Sequence, residues 1–335
     1  MQQEDLFDHP LPKSGFEFDF YDPAEVDRAL AGRNKFDKSS SATVYLQRLR
    51  SCPQTMLRPA PPPIEALNEL ERDFEHAKAV FDVLRKHLVL SHLLPGAPFV
   101  PHHLLLLGPP GVGKTYLVRR IEEALFTGFW EFSLSHSTAS FALGGLDEQY
   151  SGGGPGWLVK QAIEAAVVGT PALQPLVLLD EIDKAPSDRN SDPLGALFSL
   201  LEPHSAKHFV DDGFRVGLNL EWVSYVATAN NVKQINEALL SRFRVVEVPA
   251  PTQEQIAKLA RRVFLKELLG QPWGANFEPI LTDDVVEALD AESPRDLRQT
   301  LRECLGAAAL RNSSKVQLCD LPRRRNARQQ RIGFL

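Results

Sequence analysis

Eight consecutive residues, Gly108-Pro109-Pro110-Gly111-Val112-Gly113-Lys114-Thr115, combine what anion chemistry needs. Glycines let backbone N–H groups turn inward and approach a phosphate closely. Lys114 supplies a point charge for β and γ phosphates, and Thr115 supplies a hydroxyl for Mg²⁺. A helix starting near Lys114 adds the positive end of its dipole. The spacing fits G-x-x-x-x-G-K-[ST], the phosphate-binding loop. Its flanks agree: Leu104 to Leu107 read as a buried strand, and Tyr116, Val118, Ile121 and Leu125 form an apolar helix face. These residues imply ATP with Mg²⁺ as ligand.

A second carboxylate-bearing stretch, "PLVLLDEIDKAP", runs from Pro175 to Pro186. An apolar strand delivers Asp180 and Glu181 to its end. Asp180 is placed to hold Mg²⁺ through its water shell, and Glu181 to orient or polarise an attacking water, since phosphoryl transfer is mostly positioning and charge neutralisation. By itself an acidic pair after a strand is weak, because acidic residues commonly begin loops; paired with the loop at 108–115 it is strong. "VSYVATANN" at 223–231 ends another apolar strand in Asn230, whose amide would lie beside the γ-phosphate, although asparagine is also a common turn residue. Arg242 and Arg244 precede a further apolar strand, where an arginine can face a neighbouring subunit's nucleotide or be a solvated cation. Arg295 lies near the start of a C-terminal helix and can reach the same phosphates.

The elements that must position these groups follow from periodicity. Strand candidates at 104–107, 129–135, 176–180, 222–228 and 244–248 alternate with helical patterns, which implies a parallel sheet covered on both faces. Leu67, Leu70, Phe74, Ala77, Phe81, Leu84 and Leu88 trace one apolar helix face upstream. After Pro249-Ala250-Pro251 the pattern becomes all helical. Thr252 with Gln255 can form a capping box, and Ser293 can cap a helix that opens with Pro294. Residues 1–63 read as a flexible N-terminal extension, with acidic residues, Ser39-Ser40-Ser41 and a proline cluster; Phe16, Phe18, Phe20 and Tyr21 lie inside it. The organisation expected is that extension, an α/β domain with a leading helix at 64–250, a helical domain at 251–320, and a basic tail at 321–335.

Composition bounds the reading. The chain has 335 residues and a formal net charge of −6, so the protein as a whole does not read as a nucleic-acid binder. Its three cysteines form no metal-ligand pattern, and its N-terminus is acidic and polar rather than a signal peptide. The greasiest stretch, 87–107, is broken by histidines and prolines and is no membrane span. The expectation is a reduced, cytoplasmic protein without membrane partners.

Together, "GPPGVGKT", "LLDEIDK", the "DP…AL…LLEP" stretch at 192–203, "ATANN", "LLSRF" and "SPRDLRQ" resemble the AAA+ ATPases, and within them the ATPase module of the Lon proteases, over roughly 64–312. The resemblance implies a phosphate-loop fold with a five-stranded parallel sheet and a helical lid, working as a ring, commonly a hexamer. It implies Asn230 as sensor 1, Arg242 as arginine finger and Arg295 as sensor 2. It also places Tyr150, within "EQYSGGGPGW", as a pore residue that grips unfolded polypeptide. Ser151 departs from the hydrophobic residue expected next. Glycines on both sides suggest a loop able to swing, and Asp147 and Glu148 would repel a phosphate backbone. No Lon-type peptidase domain follows the lid, so the expectation is a motor without its own protease that acts on protein clients. Its apolar end, Ile332 to Leu335, is a candidate dock for a separate peptidase. The alternative is an AAA+ ATPase acting on nucleic acid, favoured by five arginines in the tail. A scaffold that binds ATP without hydrolysing it is disfavoured by the presence of Lys114, Asp180, Glu181, Asn230 and Arg242 together.

Overall fold

The computed structural model describes residues 16–33, 40–93, 98–133, 142–168, 174–185 and 194–322. The chain divides into two compact units: one takes 1–72, 79–107 and 115–247, the other 73–78, 108–114 and 248–335.

The first unit begins with β1 (Phe16–Asp19), α1 (Pro23–Ala31), α2 (Ser41–Arg50) and β2 (Thr55–Arg58). Aromatic and acidic residues alternate through Phe16-Glu17-Phe18-Asp19, the period of a half-buried strand. β1 pairs antiparallel with β2, Phe18 opposite Met56. Phe18 and Phe20 are buried against Trp222, with ring centroids 5.7 and 6.0 Å away. Asn219 fastens this segment: its backbone N–H donates to the Phe20 carbonyl at 2.8 Å and its amide to that of Asp19 at 3.1 Å. The expectation of a flexible extension over 1–63 is therefore corrected for its described part. Phe20, Val26, Leu46 and Leu49 are fully buried, because the apolar surface they need comes from residues far along the chain. Residues 1–15 and 34–39 lie outside the described residues.

The apolar face expected from Leu67 to Leu88 is buried at all seven positions. It is not one helix, however. α3 (Ile64–Asp73) ends at Phe74 (φ −132°), a short 3₁₀ turn spans Glu75–Ala77, and α4 (Lys78–Leu93) resumes. This break hands residues 73–78 to the second unit.

There follow β3 (Leu104–Leu107), α5 (Lys114–Leu125), β4 (Gly128–Ser133), α6 (Trp157–Val168), β5 (Pro175–Asp180), α7 (Leu197–Leu200), α8 (Pro203–Ala206), the short hairpin β6 (Phe209–Val210) and β7 (Gly217–Leu218), β8 (Ser224–Ala229), α9 (Glu237–Leu240) and β9 (Arg244–Glu247). Five strands form one sheet in the order β4-β5-β8-β3-β9, every neighbouring pair parallel. Each expected strand corresponds to one of these, β3 with the expected bounds and the others with an end shifted by a residue or two; residues 134–135 lie outside the described residues. The central strands are apolar runs because a parallel sheet is covered on both faces, and β8 is buried from end to end. Ligands of open α/β sheets bind at the carboxyl ends of strands. There the chain leaves β3 into Gly108, β5 at Asp180 and β8 into Asn230.

In the second unit, α10 (Gln253–Leu269), α11 (Asp283–Ala288) and α12 (Pro294–Leu310) close on a core that includes Ile256, Phe264, Leu297, Leu301 and Leu305. The Thr252–Gln255 capping box forms, and Ser293 caps α12 ahead of Pro294. Glu267 is buried but paired with Arg298 at 2.7 Å and with Arg302, so its charge is compensated. No helix among the described residues is long and apolar enough to cross a membrane. The tail from Arg323 to Leu335, with its apolar end, lies outside the described residues, as does the start of the 192–203 stretch at Asp192-Pro193.

Because Phe20 is fully buried against Trp222, Phe20→Ala should lower the unfolding free energy by about 3–5 kcal/mol in urea titrations. A loss below about 1 kcal/mol would mean that the N-terminal segment is no part of the cooperative core.

Candidate active site

The glycine-rich loop from Gly108 to Lys114 belongs to the second unit, and Thr115 to the first. A Cβ on Gly108 would lie 2.1 Å from the Val248 carbonyl oxygen, so close backbone approach excludes any side chain there. Gly113 has open space around it but a φ of +93°, so its requirement is conformational. Lys114 is buried, and its ammonium donates to the carbonyls of Gly108 at 2.7 Å and Pro109 at 3.0 Å, back across the loop. A ring nitrogen of His76 lies 3.3 Å from the Val112 carbonyl, and burial lowers the pKa of that imidazole. Arg295 stands in the first turn of α12, where its N–H donates to the Gly111 carbonyl at 3.4 Å. The unit thus brings the expected loop beside the backbone of the expected sensor arginine, whose residue is exposed.

The carboxylates belong to the first unit. Asp180 Oδ1 accepts the hydroxyl protons of Thr115, at 2.9 Å, and of Thr228, at 2.7 Å. A hydroxyl and a carboxylate are hard oxygen donors, and this pair suits Mg²⁺. Glu181, next in sequence, adopts φ 55° and ψ 51°, the left-handed region. For a residue other than glycine that conformation costs about 1–2 kcal/mol. The backbone N–H of Glu181 donates to the Thr228 hydroxyl at 2.9 Å. Asn230 follows β8 directly, and the N–H groups of Asn230 and Asn231 both donate to Asp183 Oδ2, at 3.0 and 3.1 Å.

Thr228 and Asp183 are residues that the sequence reading passed over. Asp183 had a signal, being a further acid in "DEIDK"; it is buried, which calls for backbone partners. Thr228 had none, since a threonine in a strand is ordinary. Arg242 lies two residues beyond the end of α9. Its Nη1 donates to the Ala238 carbonyl at 2.9 Å, and its guanidinium carbon stands 5.1 Å from the centroid of the Phe198 ring. Arg244 is exposed at the start of β9.

Tyr150, 65% exposed, tips a small closed loop. Leu146 and Gly154 exchange backbone hydrogen bonds of 3.0 and 2.7 Å, and the Gly153 N–H donates to the Tyr150 carbonyl. Gly153 serves close packing, since a Cβ there would lie 2.2 Å from the Asp147 carbonyl oxygen, whereas Gly152 has open space around it and a φ of +82°. One expectation about this loop is corrected. The acids beside Tyr150 are paired, Asp147 with Arg215 and Glu148 with Arg33 at 2.7 Å, so they set up no unbalanced negative patch. Although partial burial opposes it, hydrogen bonds from Arg33 and Ser40 hold the Glu148 carboxyl below its usual range. At the base of the loop Asp211 accepts the N–H groups of Gly156, at 2.8 Å, and Gly213, at 2.9 Å. Burial pushes the Asp211 carboxyl up to about 7 in spite of these bonds.

Residues 104–250 match the family described as "ATPase family associated with various cellular activities (AAA)". The Lon protease of Ureaplasma parvum is 32% identical over 279 residues, covering 79% of this chain and 34% of that protein. The peroxisomal Lon protease homolog 2 of Spinacia oleracea is 32% identical over 281 residues, covering 81% and 31%. The chain therefore spans about a third of the length of the curated relatives it matches. Among solved structures, the RuvB Holliday junction branch migration motor of Thermotoga maritima superposes with a TM-score of 0.44 at 16% identity, over 76% of this chain and 66% of that one.

Asp211 carries a testable consequence. Its folded pKa lies above that of the unfolded chain, so the folded state holds this proton more tightly. The stability it contributes is full below about pH 4 and is lost as pH rises through about 7. Urea unfolding between pH 5 and pH 8 should show the wild type losing stability relative to Asp211→Ala as pH rises; His76, His87 and His103, whose pKa values burial lowers, act in the opposite direction in both proteins and cancel in that difference. Identical slopes would mean that this carboxyl titrates as in water.

Proposed function

We propose, from the membership of residues 104–250 in the AAA family of ATPases, that this protein hydrolyses ATP in a ring of its own copies, a hexamer, and uses the cycle to remodel or unfold protein clients. The observation that carries the ATPase reading is the Asp180 carboxylate, which takes hydroxyl protons from Thr115 and Thr228 beside Glu181. In this reading the loop from Gly108 to Thr115, including Pro109, Pro110 and Val112, holds the phosphates, with Lys114 as the charge. Thr115 and Asp180 hold Mg²⁺, which when bound neutralises phosphate charge. Glu181 orients the attacking water and takes its proton. Asn230 and Arg295 sense the γ-phosphate, and Arg242 serves the nucleotide of the adjoining subunit. The cation–π contact with Phe198 supports that last role by preorganising the guanidinium near the end of α9.

The client reading rests on Tyr150, an exposed aromatic on a loop held at both ends, in a region similar to Lon proteases. An apolar ring can grip a polypeptide without reading its sequence. The same ring can stack on a base. With Asp147 and Glu148 neutralised by Arg215 and Arg33, charge no longer disfavours nucleic acid at this loop, so that remains the second reading.

Lys114→Ala should abolish ATP binding, measured by calorimetry, while Glu181→Gln binds ATP and turns it over at least ~100-fold more slowly. Normal turnover in both would sink the ATPase assignment. Arg242→Ala should lose on the order of 10³-fold in hydrolysis at unchanged affinity, with partial recovery when mixed with Lys114→Ala subunits. An active monomer would contradict the ring. Unfolded protein should stimulate hydrolysis by the wild type and not by Tyr150→Ala. Stimulation by single-stranded DNA instead, erased by the same substitution, would replace the client reading with the nucleic-acid one.

A further inference from the structure

Glu181 is the one residue of the carboxylate pair whose backbone is strained, and its direction out of β5 depends on that strained conformation. A left-handed residue persists where its surroundings over-determine it. Here the constraint comes from the neighbouring strand. The Thr228 hydroxyl has one proton and directs it to Asp180 Oδ1, at 2.7 Å; its oxygen in turn accepts the Glu181 N–H, at 2.9 Å. The hydroxyl's single proton and one of its acceptor positions are thus committed to consecutive residues at the β5 end.

Thr228 itself is well fixed. It is 1% exposed, lies in β8 between β5 and β3, and stands in register with Leu106 of β3. As a β-branched residue in a strand it has few rotamers to choose from. Asp183 makes a second tie between the same two strand ends, through the N–H groups of Asn230 and Asn231. That tie acts on the backbone after β8, whereas the Thr228 hydroxyl reaches Asp180 and the Glu181 backbone directly.

We infer that Thr228 is a positioning residue for hydrolysis: its hydroxyl, aimed by its own bond to Asp180, accepts the Glu181 N–H and holds that backbone in the left-handed conformation that directs this side chain, while Asp180 keeps its bond from Thr115 without it. The inference rests on the reading of Glu181 as the group that activates water. Thr228 itself performs no proton transfer, so its effect should appear in kcat through Glu181 and leave nucleotide binding alone.

The test compares Thr228→Val, which keeps the shape and removes the hydroxyl, with Thr228→Ser, which keeps the hydroxyl, in the full-length protein. Thr228→Val should lower kcat by about 10–100-fold while KM for ATP changes less than about 3-fold. Thr228→Ser should recover most of the loss, and the Glu181 amide should exchange with deuterium faster in the valine protein than in the serine one. Thr228→Val in a Glu181→Gln background should slow turnover no further than Glu181→Gln alone, because residues that act as a unit are not additive. A folded valine protein with wild-type kcat, a folded serine protein as slow as the valine one, or losses that multiply in the double variant would each overturn the inference while leaving the role of Glu181 intact. Undiminished turnover in Glu181→Gln itself would overturn the underlying reading, and this inference with it. Should the valine protein not fold, Thr228→Ala is read against Thr228→Ser by the same criteria.

Discussion

The Asp180 carboxylate accepts hydroxyl protons from two directions, Thr115 at the start of α5 and Thr228 near the end of β8, and so ties three distant stretches of chain to one charge. Hydrogen bonds to an ionised acceptor are about twice as strong as neutral ones. Their geometry is possible because β5 and β8 are neighbours in a parallel sheet, with Leu179 paired to Ala227, so both strands present their carboxyl ends at one edge. An antiparallel arrangement would have sent the two ends to opposite edges. Glu181 and Asn230 inherit their positions from this alignment, and each is held by a group from the other strand's end: the Glu181 N–H by Thr228, the Asn230 N–H by Asp183.

A second dependence links the N-terminal segment to the rest of the first unit. Trp222 stands two residues before the start of β8 and is fully buried, with Phe18, Phe20 and Trp130 around it at 5.7, 6.0 and 6.0 Å. Two of those rings come from residues outside the family match at 104–250. The same segment supplies Arg33 and Ser40 to Glu148, and so reaches the loop that carries Tyr150. Core packing and the exposed aromatic are therefore served by one N-terminal stretch.

The Tyr150 loop shows how glycine-rich sequence can serve order. Gly153, Gly156 and Gly213 each bring one backbone within contact of another, where a Cβ would lie about 2 Å from a carbonyl oxygen. Asp211, buried at the base, gathers the N–H groups that such close packing leaves to be satisfied. The cost is a carboxylate kept from water, seen in its raised pKa.

Much of this was legible in the residues. Short-range signals sufficed for the five strands, the Thr252 capping box and the Ser293 cap, because each depends on residues a few positions apart. The seven apolar positions from Leu67 to Leu88 were correctly identified as buried, yet the helix break at Phe74 was not, since the period survives a short 3₁₀ turn. The N-terminal segment was misjudged although Phe16 to Asp19 alternate as a strand should, because whether aromatic rings in an acidic stretch find a partner depends on Met56, Asn219 and Trp222. The ion pairs of Asp147 and Glu148 were invisible for the same reason, their arginines being Arg215 and Arg33. The sequence by itself determined which hydroxyl, ammonium and carboxyl groups stand at the ends of β3, β5 and β8, since local spacing fixes both the groups and the elements that carry them. Only the tertiary structure decided that Thr228 and Asp183 brace the β5 and β8 ends, because a hydrogen bond across 47 residues leaves no period or spacing in the chain to read.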